Sequence, residues 1–451
     1  MARIFKRKAY DRLLDWKSSS NGKSALLIEG ARRIGKSTVA ERFAQENYAD
    51  YLLLDFALES QDVRENFDNI GNLDMFFRNL FLLKGKSLPK GDAVIIFDEV
   101  QLFPLARQAI KALVNDGRYH YIETGSLISI KKNVQDILIP SEEERFKMFP
   151  MDFEEYLWAM GDDVTAPAIR DAFVTRTALS DAVHRRIMRE YRTYLAVGGM
   201  PQAVEALADG ADFTEIDRVK RTILGLYEAD LYKHDSEMGT RTAEVFKSIP
   251  SQLSHRNSRF HYADVDDNAR DRNLKESIDL LDESMVVNIC RNVSSPEVAL
   301  GLYEERENLK MYMGDTGLLI TQVMKGNPDV GDALYRALIS GRLGLNEGMV
   351  VENSVAQALA RSGHGLFFHE YEYQPPGTSE ARLYEVDFLL VRGKRVCPIE
   401  VKSSGYKAHK SFDYFTDKYD IKVNERFIVY MKNLSRQGNL AFIPLYMAMC
   451  L

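Results

Sequence analysis

Long apolar runs are missing from this sequence. None approaches the ~18 residues that a membrane-spanning helix needs, so no membrane partner is expected. Cysteine is scarce, with three in 451 residues. Cys290, Cys397 and Cys450 are too scattered for a zinc knuckle or a disulfide framework, and a reduced cytoplasmic setting is the simplest expectation. The basic start through Lys8 leads into Tyr10, Asp11 and Arg12 rather than the apolar core of a signal peptide. Positive charge is not in excess either. Lys and Arg total 59 against 66 Asp and Glu, a formal net charge of -7. That argues against a wholly basic nucleic-acid coat, while a local basic groove remains open. Internal repeats, low-complexity tracts and long charge runs are also lacking. What is present is ordinary for a globular chain, 45% hydrophobic and 28% charged. The length predicts roughly two to four domains.

Short apolar runs alternate with helical patterns through the first 130 or so residues. Ala25–Glu29, Tyr51–Asp55, Ala93–Phe97 and Tyr119–Thr124 read as strands, and Lys36–Asn47 as a helix. Continuous apolar strands separated by helices predict a parallel sheet covered on both faces. From about Ser141 to Asp235 the pattern reads as helical, broken at Gly198-Gly199-Met200-Pro201. Residues 239–325 read as a helix and then a hairpin, the outline of a winged helix. Residues 335–451 read as a further α/β unit that opens with a helix.

Gly30-Ala31-Arg32-Arg33-Ile34-Gly35-Lys36-Ser37, followed by Thr38, fits G-x-x-x-x-G-K-[ST] between a strand and a helix. The glycines let backbone N–H groups turn toward phosphate oxygens. Lys36 supplies a charge for the β- and γ-phosphates, and the Ser37 hydroxyl suits Mg²⁺. The apolar run Val94–Phe97 ends in Asp98 and Glu99. A carboxylate at that strand end can hold Mg²⁺, and the next can polarise the attacking water. Thr124 or Ser126, at the end of the following strand, can orient the γ-phosphate or that water. Arg32, Arg33 and Gln101 flank the site without a role the sequence assigns.

Near the C-terminus, Glu385–Val391 and Arg395–Lys402 read as a hairpin turning at Arg392-Gly393-Lys394. Alternation puts Glu400 and Lys402 on one face, and Asp387 can join them from the partner strand. A helix from about Leu345 to Arg361 carries Glu352. Asp387, Glu400 and Glu352 with Lys402 would suit Mg²⁺-dependent phosphodiester hydrolysis. A cross-strand ion pair on a solvated face is the competing reading. Lys402, Lys407, His409 and Lys410 interleave with Tyr406, Phe412 and Tyr414. Such a stretch either tracks a nucleic-acid backbone or starts a helix with core aromatics.

Leu27 to Ser37, then Ile96-Phe-Asp-Glu-Val-Gln101, then Thr124-Gly-Ser126, resembles a group of prokaryotic AAA-family ATP-binding proteins with a C-terminal domain of unknown function. The likeness continues through Arg145 and Glu154–Leu157, through Tyr194–Pro201 and through Lys310–Leu319. It implies an AAA-type P-loop core over 1–140, a helical lid over 141–238, the winged-helix-like unit over 239–325 and a further domain over 335–451. That last domain is similar to PD-(D/E)xK restriction-endonuclease-like folds, with Asp387, Glu400, Lys402 and Glu352 at the motif positions. The first acid stands in Glu385-Val-Asp387 rather than Pro-Asp. Gly199-Met200-Pro201 is similar to a G-x-P turn that switch ATPases place near the nucleotide, and a simple helix break is the alternative. Arg145 is similar to an arginine that reaches a phosphate in trans, against a plain structural arginine. The resemblance implies an ATPase using ATP and Mg²⁺, with Lys36 and Glu99 catalytic. DNA and a second copy of the chain are candidate partners, and a Mg²⁺-dependent endonuclease is a candidate second activity. The alternative is a regulatory or interaction module whose nuclease-like domain is silent.

Overall fold

A strand buried on both faces shows no alternation, only a continuous apolar run. That is how the central strands of the first 150 residues are built. The computed structural model describes residues 3–126, 138–233, 236–255, 259–265, 271–327, 331–341, 347–404, 409–419 and 425–451. The chain divides into two compact units. One is Met1–Pro150 with Glu283–Met285, and the other is Met151–Asp282 with Val286–Leu451.

In the first unit, β1 (Ala25–Glu29), β2 (Asp50–Asp55), β3 (Ala93–Asp98), β4 (His120–Gly125) and β5 (Glu143–Lys147) form one sheet in the order β2-β3-β4-β1-β5. Every pairing is parallel. The apolar residues of β1 and β3 are buried throughout. One face carries a core in which Leu27, Ile95 and Phe97 pack against Phe67, Phe76, Leu80, Ile110 and Leu113.

β5 corrects the helical reading of 141–235. Its sequence, Glu143-Glu-Arg-Phe-Lys, has no apolar periodicity, because it is an edge strand with charged side chains. It pairs with β1 from Ala25 opposite Glu143 to Glu29 opposite Lys147. The remainder of that stretch is helical, with helices Phe153–Ala159, Thr165–Thr175, Asp181–Val197, Pro201–Ala208 and Phe213–Tyr232.

The second unit holds a mixed sheet of β6 (Val287–Val293), β7 (Glu304–Met313), β8 (Leu366–Tyr373), β9 (Arg382–Arg392), β10 (Arg395–Val401), β11 (Arg426–Tyr430), β12 (Ser435–Gln437) and β13 (Leu440–Pro444). Their order is β12-β13-β11-β10-β9-β8-β6-β7. The hairpin read as the wing of a separate unit is therefore the β6–β7 edge of this sheet, joined to it by parallel pairing of β6 with β8. Helix Glu347–Arg361 carries a buried face from Met349 to Leu359.

The break at Gly198-Gly199 is a close backbone contact. A Cβ on Gly317 would lie 2.5 Å from Gly198 Cα and N. Asp315 accepts from Gly199 N at 2.6 Å and caps helix Thr316–Val323 through Leu318 N at 2.9 Å. Backbone has little room to yield, so Gly317→Ala is expected to cost about 3 kcal/mol of stability. Gly225 lies inside helix Phe213–Tyr232 with nothing within 4 Å of an added Cβ. Gly225→Ala is expected to be neutral or to stabilise by up to about 1 kcal/mol. Denaturant unfolding of the two variants checks the opposite signs.

Candidate functional site

A strand that runs into a glycine turn and then a helix points its last peptide N–H groups at one spot. Here the spot lies above the C-terminal ends of β1, β3 and β4. Helix Lys36–Asn47 starts from Gly35, whose φ is 91°. Arg33 also has a left-handed backbone, with φ 68°, and holds that curl without a glycine's freedom. A Cβ on Gly30 would lie 2.4 Å from the Met148 carbonyl oxygen and 2.5 Å from Ile34 Cδ1. Only glycine fits there. Ile34 is buried, and its carbonyl accepts from Arg7 at 2.6 Å. Arg7 also reaches the Phe149 carbonyl at 2.6 Å. Its buried guanidinium thus braces the loop, a role the basic N-terminus did not disclose. Ala31 is buried, while Arg33 and Thr38 are exposed and Arg32 is half-buried.

Lys36 is only 6% exposed. Its ammonium donates to the Gly30 and Ala31 carbonyls at 3.1 and 3.0 Å. Burial pushes its pKa below the ordinary lysine value, against the pull of Glu99 and Asp98 and with a push from Arg32. Ser37 Oγ donates to Asp98 Oδ1 at 2.7 Å, and Thr124 Oγ1 donates to the same oxygen. The in-register pairing of β3 with β4 brings Thr124 there. Ser126 follows directly after β4 and is half-buried. Glu99 has a left-handed backbone, φ 53°, and accepts from Gln101 Nε2. Two non-glycine residues in strained backbone, Arg33 and Glu99, thus lie in one site. Hard oxygens from Ser37 and Asp98, a buried ammonium and a second carboxylate suit Mg²⁺–triphosphate chemistry. Arg145, 40% exposed, donates to Glu143 at 2.6 Å and lies 3.9 Å from Glu29, an ion pair within its own sheet.

A second polar cluster lies in the C-terminal sheet. Asp387 on β9 accepts from Val401 N at 2.7 Å. Lys402 donates to Glu400 on β10, and Ser411 Oγ reaches the same Glu400 oxygen at 3.3 Å. Lys310 on β7 donates to Glu352 at 3.1 Å and to Glu385 at 2.6 Å. Tyr312 donates to the Glu352 oxygen that Lys310 also meets. Burial, with the charge of Glu352, raises the Asp387 pKa. Burial also pushes Glu385 up to about 7 and Glu400, with the charge of Asp387, to about 8. Desolvation opposes the Lys310 charge, but Glu352, Glu385 and Asp387 outweigh it and raise its pKa.

Asp387, Glu400, Glu352 and Lys402, singled out in sequence, are thus electrostatic neighbours in the fold. Lys310, Tyr312 and Glu385 join them. Lys310 lay within a string shared with the AAA group but had no role, because nothing in sequence links β7 to the Glu-x-Lys hairpin. Among the described residues no three His, Cys, Asp or Glu side chains are grouped to hold a metal ion. Ammonium groups stand against Glu352, Glu385 and Glu400 instead.

Tyr406 and Lys407 lie outside the described residues. Phe412 is fully buried, which fits the helix-start reading of that stretch. No described helix is long and apolar enough to cross a membrane.

Residues 22–157 match the family model described as an AAA domain. Residues 188–329 match a domain of unknown function (DUF8612), and residues 347–447 match another (DUF4143). Comparison with the curated proteins finds no match. Among solved structures, the RuvB Holliday junction branch migration motor of Thermotoga maritima is similar at 12% identity, over 63% of this chain and 89% of that one, with a TM-score of 0.29. A variant of the same RuvB gives 13%, 62%, 85% and 0.29. A Vibrio cholerae protein gives 11%, 89%, 95% and 0.16. Likeness at these scores carries no argument about activity. The parallel strand order, the glycine loop that ends on a buried lysine and the matched model agree, and residues 22–157 have the P-loop NTPase fold and match an AAA domain.

Proposed function

We propose that this chain is an ATP-hydrolysing switch that uses Mg²⁺ and drives nucleic-acid handling by a nuclease-like C-terminal unit. The observation that carries it is the meeting of Ser37 and Thr124 hydroxyls on one oxygen of Asp98 beside the Lys36 ammonium.

In this reading the backbone from Gly30 to Gly35 wraps the β-phosphate. Lys36 exchanges its contacts with the Gly30 and Ala31 carbonyls for β- and γ-phosphate oxygens. Ser37 and Asp98 would hold Mg²⁺, which neutralises charge on the phosphates when bound. Glu99 orients the attacking water and accepts its proton. Gln101 fixes the Glu99 carboxylate, and Thr124, with Ser126 beside it, positions the γ-phosphate. Thr38 supports the first turn of the helix, and Arg32 and Arg33 edge the loop. Glu143 and Glu29 engage Arg145 within its own sheet, so a trans role would need that pairing to open.

Asp387, Glu400, Glu352 and Lys402 are the residues assigned to phosphodiester chemistry. Their hard oxygens have the right character for Mg²⁺, although Lys310 and Lys402 already pair with Glu352, Glu385 and Glu400. That fact favours a second reading, in which the C-terminal unit regulates or binds a partner without cutting. Plasmid nicking with Mg²⁺ or Mn²⁺, wild type beside Asp387→Ala, separates the two. Cleavage by wild type and at least about a hundredfold less by the variant supports the nuclease. Intact DNA with both proteins leaves the regulatory reading.

A further inference from the structure

An ammonium buried under a helix and aimed at two carboxylates occupies the place where a cation is wanted. Lys310 is 1% exposed, and its stem crosses the sheet face with Nζ 5.1 Å from the Phe368 ring centre. It alternates with Tyr312 on β7, so both side chains leave the same face. Both donate to one oxygen of Glu352, and Lys310 also donates to Glu385. The cluster sets four carboxylates, on Glu352, Glu385, Asp387 and Glu400, against two ammonium groups, on Lys310 and Lys402. The second oxygens of Glu385 and Glu400 are buried and have no hydrogen-bond partner among the described residues. Carboxylate oxygens left so are costly unless a positive charge meets them.

We infer that Lys310 is the resident cation of this cluster, and that a divalent ion enters only by displacing its ammonium from Glu352 and Glu385. The inference rests on the nuclease-like reading of the C-terminal unit. It accounts for an acidic centre whose donors suit a hard metal ion and are met by ammonium groups instead. It makes the centre closed by default, and open once Lys310 leaves Glu352 and Glu385. Lys310 then controls access to the site without itself touching the substrate.

The test is a Mn²⁺ titration of the full chain without nucleotide, read as free Mn²⁺ by electron paramagnetic resonance. Binding at this centre is the component that Asp387→Ala removes. Lys310→Met is expected to tighten that component by roughly tenfold or more, as loss of an adjacent like charge does. Lys310→Arg keeps the charge and should bind as wild type. Lys394→Met, in the exposed hairpin turn, controls for net charge and should also bind as wild type. If Lys310→Met does not fold, the double variant Lys310→Met/Glu385→Gln is compared with Glu385→Gln, and the double variant must bind more tightly. Equal Mn²⁺ affinity in Lys310→Met and wild type overturns the displacement and leaves the nuclease-like reading standing. No Mn²⁺ component in any protein overturns both. Equal tightening in Lys394→Met overturns a specific role for Lys310.

Discussion

Replacing Glu99 with Gln is expected to leave ATP bound and to lower its turnover by roughly a hundredfold to ten-thousandfold, the range for losing a positioned general base. The side chain keeps its size and can still meet Gln101, so the loop and the Mg²⁺ ligands keep their places. What is lost is the capacity to take a proton from the attacking water. The backbone at residue 99 is left-handed, and Gln101 donates to its carboxylate. Hydrolysis measured in single turnover, alongside ATP affinity, checks the split. Turnover at the wild-type rate would remove Glu99 from the chemistry. Weakened binding with normal turnover would make it a ligand for the nucleotide instead.

Lys36→Ala is expected to have the opposite signature, with ATP affinity lost first. The ammonium is buried, and its two present contacts are neutral carbonyls. A charged hydrogen bond to phosphate is worth about 1.5–3 kcal/mol. Without the lysine, Asp98 and Glu99 also face the triphosphate with one positive charge fewer beside them. The combined loss is roughly a hundredfold or more in affinity. The fold should survive, because a buried lysine with a lowered pKa adds little to stability. Circular dichroism of the variant, taken with the binding measurement, separates a lost site from a lost fold.

The candidate nucleotide site was legible because its chemistry is local. Gly30 through Thr38 is one continuous string, Asp98 ends a strand whose burial on both faces leaves an unbroken apolar run, and Thr124 lies near the end of the neighbouring strand His120–Gly125. The same logic explains the misses. β5 is an edge strand of Glu, Arg and Lys, so hydrophobic periodicity could not separate it from the helices that follow. The β6–β7 hairpin looked like a wing because nothing in its residues announces pairing with β8, some fifty residues further along the chain than β7. Asp387, Glu400 and Lys402 come together through adjacent strands, and strand alternation predicted their common face. Lys310 reaches the same cluster from the far edge of the sheet. Its one visible signal was a lysine alternating with apolar residues in an otherwise buried strand end. Arg7 left no signal at all, since an arginine near a basic N-terminus reads as solvated until its partners, the Ile34 and Phe149 carbonyls, are placed.

Calorimetric titration of the purified chain with ATP and Mg²⁺, wild type beside Lys36→Ala, is the most direct measurement. Saturable heat near one nucleotide per chain is expected for wild type, and a nearly flat trace for the variant. A flat wild-type trace with both adenine and guanine nucleotides, metal included, would contradict a triphosphate site at Gly30–Ser37. Equal heat from both proteins would place bound nucleotide elsewhere.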